Sequence, residues 1–101
     1  MIVYNTTYTV AQAEARNFVI YVHEVMVPAA IASGAVSNPR LLRILSHHEE
    51  GTESFSLQFE TEDTKALHRW YTEVGAKLNQ EMLKVFTDRV VGFLTMMELI
   101  F

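Results

Sequence analysis

The stretch from Arg89 to Phe101 constrains the fold more than any other part of the chain. Read as an extended strand, it is apolar on both faces. Val91, Phe93, Met97, Leu99 and Phe101 fall on one side, and Val90, Leu94, Met96 and Ile100 on the other. A strand with one wet face alternates apolar and polar residues, whereas a strand covered on both faces need not. The segment therefore predicts a sheet with helices packed on one face and something else over the other.

The rest of the chain supplies the remaining elements in order. Ile2 to Tyr8 is rich in β-branched and aromatic residues, with Ile2, Tyr4, Thr6 and Tyr8 on one face and Val3, Asn5 and Thr7 on the other. A helix follows, with Thr9 and Gln12 at the spacing of a capping box. Its buried stripe is expected at Phe18, Val22, Val25 and Ala29, widened by Val19, Met26 and Ala30. Pro28 predicts a kink or restart, and Gly34 a stop.

Ser37-Asn38-Pro39 reads as a turn, leading to a second strand from Arg40 to His47. Glu49-Glu50-Gly51-Thr52 then closes a hairpin onto a third strand from Ser54 to Glu60, in which Phe55, Leu57 and Phe59 face a core. Thr61 or Asp63 caps a second helix with a stripe of Leu67, Trp70, Tyr71, Val74 and Leu78, continued by Met82, Val85 and Phe86. Gly75 weakens its middle and predicts a division there. Thr87-Asp88 turns the chain into the last strand.

Strand, helix, hairpin, helix, strand is the split βαβ order. It predicts an α+β, ferredoxin-like βαββαβ fold of one domain over residues 1–101, a four-stranded antiparallel sheet with two helices on one face. The other face is then bare and carries apolar groups on the second and last strands. Exposed apolar patches mark interfaces, so a two-fold homodimer joined through the open sheet face is expected.

Composition narrows the function classes. The 101 residues are 50% hydrophobic and 20% charged, as in a globular chain that buries a core. The net charge is −4 and the eight basic residues are scattered, which argues against nucleic acid or an anionic membrane as partner. The chain has no cysteine, which removes disulfides, thiol catalysis and Cys-ligated metals. Nothing at Met1 to Thr6 reads as a secretion signal and no apolar run is long enough to span a membrane, so the cytoplasm is the expected location.

Several residue groups invite a chemical reading. His23-Glu24 starts like a zinc-protease helix motif, but the second His position is Val27. His47-His48-Glu49-Glu50 is the densest polar cluster. Neighbouring strand residues point to opposite faces, so a solvated hairpin tip is expected there rather than a metal site. Arg43, set between Leu42 and Ile44, needs a carboxylate partner such as Glu60, Glu98 or one from a second subunit, or else an anionic ligand. No phosphate-binding loop, nucleophile elbow or paired-carboxylate spacing is present in the sequence.

The chain resembles the dimeric α+β barrel superfamily, whose members pair ferredoxin-like sheets. It is more closely similar to an uncharacterised bacterial domain-of-unknown-function family of about this length. The resemblance rests on Ile2-Val3-Tyr4-Asn5, Pro28 with Gly34, Leu41-Leu42-Arg43-Ile44-Leu45, the Gln58 strand and the span Val90 to Leu99. Related sequences tend to carry His-Ile-Pro where this chain has Met26-Val27-Pro28, which removes a histidine from consideration.

The superfamily implies two enzyme types, cofactor-free quinone monooxygenases and haem degraders. Haem degraders use an Asn on the first strand, a Trp on the second helix and a His a few turns later. Asn5 and Trp70 stand in comparable places, but Leu78-Asn79-Gln80-Glu81 fills the His region, so no haem ligand and no cofactor are expected. The expected function is a homodimeric module that binds a small molecule or another protein. The alternative is a cofactor-independent monooxygenase-like enzyme acting on a small aromatic substrate. The ligand pocket expected from the resemblance and the side-chain chemistry comprises Asn5, Arg43, Gln58, His68, Trp70 and Tyr71, and no metal is expected. The two readings separate on whether Asn5 shares a closed pocket with Trp70 or Tyr71.

Overall fold

The computed structural model describes residues 1–46 and 49–101. The pair His47-His48 lies outside the described residues. The elements follow the expected order: β1 (Ile2–Ala11), α1 (Ala15–Tyr21), α2 (Val27–Ala32), β2 (Ser37–Ile44), β3 (Thr52–Thr61), α3 (Thr64–Trp70), α4 (Ala76–Phe86) and β4 (Val90–Glu98). The strands form one antiparallel sheet in the order β2-β3-β1-β4. Sequence-adjacent β2 and β3 pair as a hairpin, and the two outer connections carry the helices. This is the ferredoxin-like α+β arrangement.

Period-2 alternation decides which side of the sheet is buried. Tyr4, Tyr8 and Val10 of β1 and Phe55, Leu57 and Phe59 of β3 join Phe18, Trp70, Met82 and Phe86 from the helices in one core. Phe18 lies at its centre, with ring centroids 4.9 Å from Tyr8, 5.7 Å from Phe55 and 5.8 Å from Phe86. Each buried side chain of this size contributes about 1.5–3 kcal/mol by leaving water.

Each helical layer is one rod interrupted by a π-turn. Val22–Met26 joins α1 to α2, and Tyr71–Gly75 joins α3 to α4. The amide N–H after each turn bonds back five residues, Val27 to Val22 and Ala76 to Tyr71. Such a turn inserts one residue into the 3.6-residue repeat and rotates the buried face. The first helix therefore buries Phe18, Val22, Met26 and Ala30, while Val25, expected in the stripe, is exposed. Pro28 is the second residue of α2, just after the first π-turn, in the first turn where its missing N–H is tolerated.

Other boundaries differ from expectation for local reasons. β1 runs on to Ala11, so Thr9 pairs with Ser54 and Val91 and forms no capping box. β2 starts at Ser37 rather than Arg40, because a bulge absorbs Asn38 at φ 50°. Of the two caps considered for the second helix, Asp63 serves: its carboxylate accepts from the Ala66 N–H at 2.8 Å. The hairpin closes as a turn from Glu49 to Thr52, with Gly51 at the φ of +80° that a type II turn needs at its third residue.

β4 is covered only where it starts. Val90 is buried, but Leu94 and Met96 on the helix side and Val91, Phe93 and Met97 on the other are exposed. Both faces are apolar, and this single chain leaves most of both uncovered. None of the described helices is long and apolar enough to cross a membrane.

Candidate functional site

The sheet has two faces and the six expected pocket residues divide between them. Asn5 and Gln58 are directly paired across β1 and β3 and lie on the open face. There they belong to a directional hydrogen-bond chain. Arg40 Nη2 donates to Gln58 Oε1 at 2.6 Å, Gln58 Nε2 donates to Ser56 Oγ at 3.2 Å, Ser56 Oγ donates to Asn5 Oδ1, and Asn5 Nδ2 donates to Thr7 Oγ1 at 3.2 Å. The chain crosses from β2 through β3 to β1 and keeps Asn5 buried with both ends of its amide engaged. Successive donors aligned in this way polarise one another.

Trp70 and Tyr71 lie on the helix side, at the junction of α3 with its π-turn. They border a cavity of about 200 Å³ between β1, β4 and the second helical layer. Asn5 does not line it. A wider apolar depression of about 360 Å³ runs on from it past Tyr4 and Tyr71 to Leu94 and Met96, with His68 at its edge. Arg43 lies far from both, on the helix-side face of β2. Its guanidinium sits 5.5 Å from the Phe55 ring centroid and pairs with Glu53 at 3.3 Å, not with Glu60 or Glu98. The single pocket expected from the sequence is thus corrected by the two-residue period of β1: Asn5 and Tyr4 are neighbours in sequence but point to opposite faces.

Most of the cavity is built from residues outside the expected pocket. Tyr4 and Tyr8 form its β1 wall, with Phe59 beside them. Gly92 lies directly across from Tyr8 in the sheet, and a Cβ there would stand 3.0 Å from the Tyr8 ring. Gly75 forms part of the opposite wall against Trp70. The available signal was a core-facing strand carrying Tyr, Thr and Tyr at alternate positions, hydroxyl-tipped where Val or Ile would suffice for packing.

No carboxylate, ammonium, guanidinium or imidazole lines this cavity among the described residues. Its polar groups are neutral: the phenols of Tyr4, Tyr8 and Tyr71, the Thr6 hydroxyl and the amides of Asn79 and Gln80. Burial pushes the Tyr8 phenol up to about 12, against a smaller lowering by the Thr6 hydroxyl. Burial also raises Tyr4, helped by the nearby Tyr71 phenol and opposed by the Trp70 indole N–H. Both are therefore proton donors throughout the neutral range. Trp70 Nε1 is the one buried side-chain polar atom among the described residues that makes no hydrogen bond of ordinary geometry. No group of three or more metal-ligating side chains comes together among the described residues.

Solved structures show the same fold. A protein from Deinococcus radiodurans, provisionally described as an antibiotic biosynthesis monooxygenase, is 17% identical. It aligns over 98% of this chain and 92% of its own, with a TM-score of 0.66. An ethyl tert-butyl ether d (EthD) family protein from Bacillus halodurans is 13% identical over 99% of this chain and 100% of its own, with a TM-score of 0.69. A dimeric ferredoxin-like protein from an uncultured marine organism is 16% identical over 100% and 98%, with a TM-score of 0.62. At these identities the likeness is one of fold. No curated protein matches the chain. The family is set by residues 1–100, which match the model of the domain of unknown function DUF4286, and the chain belongs to that family.

Proposed function

We propose that residues 1–101 act as one small-ligand-binding domain that works as a homodimer in the cytoplasm, with the ligand held in the cavity between β1, β4 and the second helical layer. The observation that carries this reading is the cavity itself. A cleft between sheet and helices, lined mainly by aromatic and apolar side chains with a few polar groups, is where small molecules most often bind. This one measures about 200 Å³ and is walled by Tyr4, Tyr8, Phe59 and Trp70, an aromatic lining with a few convergent hydroxyls.

The exposed apolar groups of β4 and β2, with Phe93 at 68% exposure and Leu42 at 43%, support a second copy over the open face. The dimeric ferredoxin-like neighbour agrees with that arrangement. The lack of cysteine fits a reducing compartment.

Binding is favoured over catalysis by the composition of the cavity wall. A neutral phenol raised by burial is a poor general base, and the wall offers no other group that titrates near neutrality. The monooxygenase-like reading has in its favour the description of the Deinococcus radiodurans neighbour, and at 17% identity that reaches no further than the fold.

Native mass spectrometry of protein purified gently from its own host tests the proposal. The expected spectrum shows a non-covalent small molecule retained on the protein and lost on activation. A spectrum of bare protein only, unchanged after exposure to a library of small neutral aromatics, would contradict it.

A further inference from the structure

The geometry points to a specific ligand class and a specific recognition group: the cavity takes a small, uncharged, largely planar molecule with a single acceptor oxygen, which the Tyr4 hydroxyl bonds while the Trp70 indole holds Tyr4 in place. This rests on the binding reading above and deepens it.

Three observations carry the inference. The first is size. An apolar cavity of ~150 Å³ accommodates benzene, so about 200 Å³ suits one aromatic ring with a short substituent. The second is charge. With no ionic side chain in the wall among the described residues, a charged ligand would lose its hydration without compensation, which costs far more than the contacts return.

The third is the arrangement of donors. Tyr4 lines both the cavity and the adjoining depression, and no other hydroxyl but that of Tyr71 is shared between them. The Trp70 ring meets the Tyr4 ring edge-on, with centroids 5.9 Å apart and planes at 88°. The indole N–H makes no hydrogen bond of ordinary geometry, and it sits beside a phenol whose burial-raised pKa it opposes. With the indole edge packed on one side of the Tyr4 ring, the phenol proton can turn toward the hollow. A ligand carbonyl that accepts from the Tyr4 hydroxyl would leave the phenol oxygen's lone pairs to the unpartnered indole N–H, so that binding draws the two together and each link strengthens the other. Trp70 is a positioning residue in this scheme, because it acts through Tyr4. Gly75 completes the arrangement: its hydrogen leaves the space that the indole edge occupies.

Acetophenone, cumene and benzoate form a probe set of similar size: a ring with an acceptor carbonyl, a ring with an isopropyl group and no acceptor, and a ring with a negative charge. The chain contains one tryptophan, so its indole N–H gives a single signal in a nitrogen–proton correlation spectrum. The expected result is that acetophenone binds about tenfold tighter than cumene, benzoate binds least, and only acetophenone moves the indole signal downfield. Tyr4→Phe removes the hydroxyl and keeps the ring. It should abolish the preference for acetophenone and the downfield shift while leaving cumene affinity unchanged.

Equal binding of acetophenone and cumene, a preference that survives Tyr4→Phe, or strongest binding by benzoate would overturn the inference and leave the cavity as a binding site. If none of the three probes moves the amide signals of Tyr8, Leu78 and Gly92 at millimolar concentration, the binding proposal falls and the inference with it.

Discussion

Gly75 packs so closely under Trp70 that a Cβ built on it would stand 3.1 Å from both Nε1 and Cε2 of the indole. The backbone there is ordinary helix, with φ −60° and ψ −45°, so the glycine is required by proximity and not by conformation. The π-turn Tyr71–Gly75 sets this up, because the extra residue rotates position 75 beneath the ring of position 70. Trp70 is 2% exposed and fixes one wall of the cavity.

Gly75→Ala therefore sets two effects against each other. Helix propensity favours alanine by about 1 kcal/mol. Displacing a buried indole costs about 1–3 kcal/mol. The contact should win, giving a net loss of about 1 kcal/mol in urea denaturation together with a shift in tryptophan fluorescence. A more stable variant with unchanged emission would show that the indole moves aside freely.

Tyr8 predicts an alkaline transition. Its phenol is raised from 10.0 to about 12 in the folded chain, so the unfolded chain gives up its proton first as pH rises. Its contribution to stability is complete below pH 10, declines from there, and is lost by about pH 12. The change across that window is roughly 2–3 kcal/mol. Denaturation curves between pH 9 and 12 should show the decline, and Tyr8→Phe should flatten most of it. Tyr4, raised in the same direction, accounts for part of any remainder.

Thr87 carries strain at the end of the second helical layer. Its φ of 55° and ψ of −127° lie in a region glycine occupies freely and β-branched residues avoid. Its hydroxyl gives some compensation by donating to the Phe86 carbonyl at 2.7 Å. Thr87→Gly should stabilise the fold by about 1 kcal/mol, since the relieved strain exceeds the added chain entropy. A fall in melting temperature would mean that the hydroxyl bond outweighs the backbone cost.

Much of the architecture could be read from the order of the elements. Phe55, Leu57 and Phe59 alternate cleanly, and Tyr4 and Tyr8 fall on the same side of the neighbouring strand, so the buried face was fixed before any helix was placed. The π-turns were not legible, because a one-residue insertion leaves no mark in composition. Val25 and Met26 are equally apolar, and only the inserted residue decides that Met26 goes inward. Asn5 and Trp70 invited pairing by analogy, yet the alternation Tyr4-Asn5 already contained the answer. If Tyr4 faces the helices, Asn5 cannot. Arg43 found Glu53 rather than Glu60 or Glu98, because β2 and β3 run antiparallel and bring position 53 to the same end and face.

The open face ties these strands to assembly. Its middle is the polar chain from Arg40 to Thr7, and its β4 margin is Val91, Phe93 and Met97. A second copy laid across it would bury the apolar margin and enclose an already satisfied polar network, which favours one register over a sliding contact. Light scattering on the wild type and on Phe93→Asp at micromolar concentration is the most direct test. The wild type should weigh twice the 11.6 kDa chain, and Phe93→Asp, folded by circular dichroism, should fall to 11.6 kDa. A wild type at 11.6 kDa would leave β4 bare in solution and contradict the assembly proposed here.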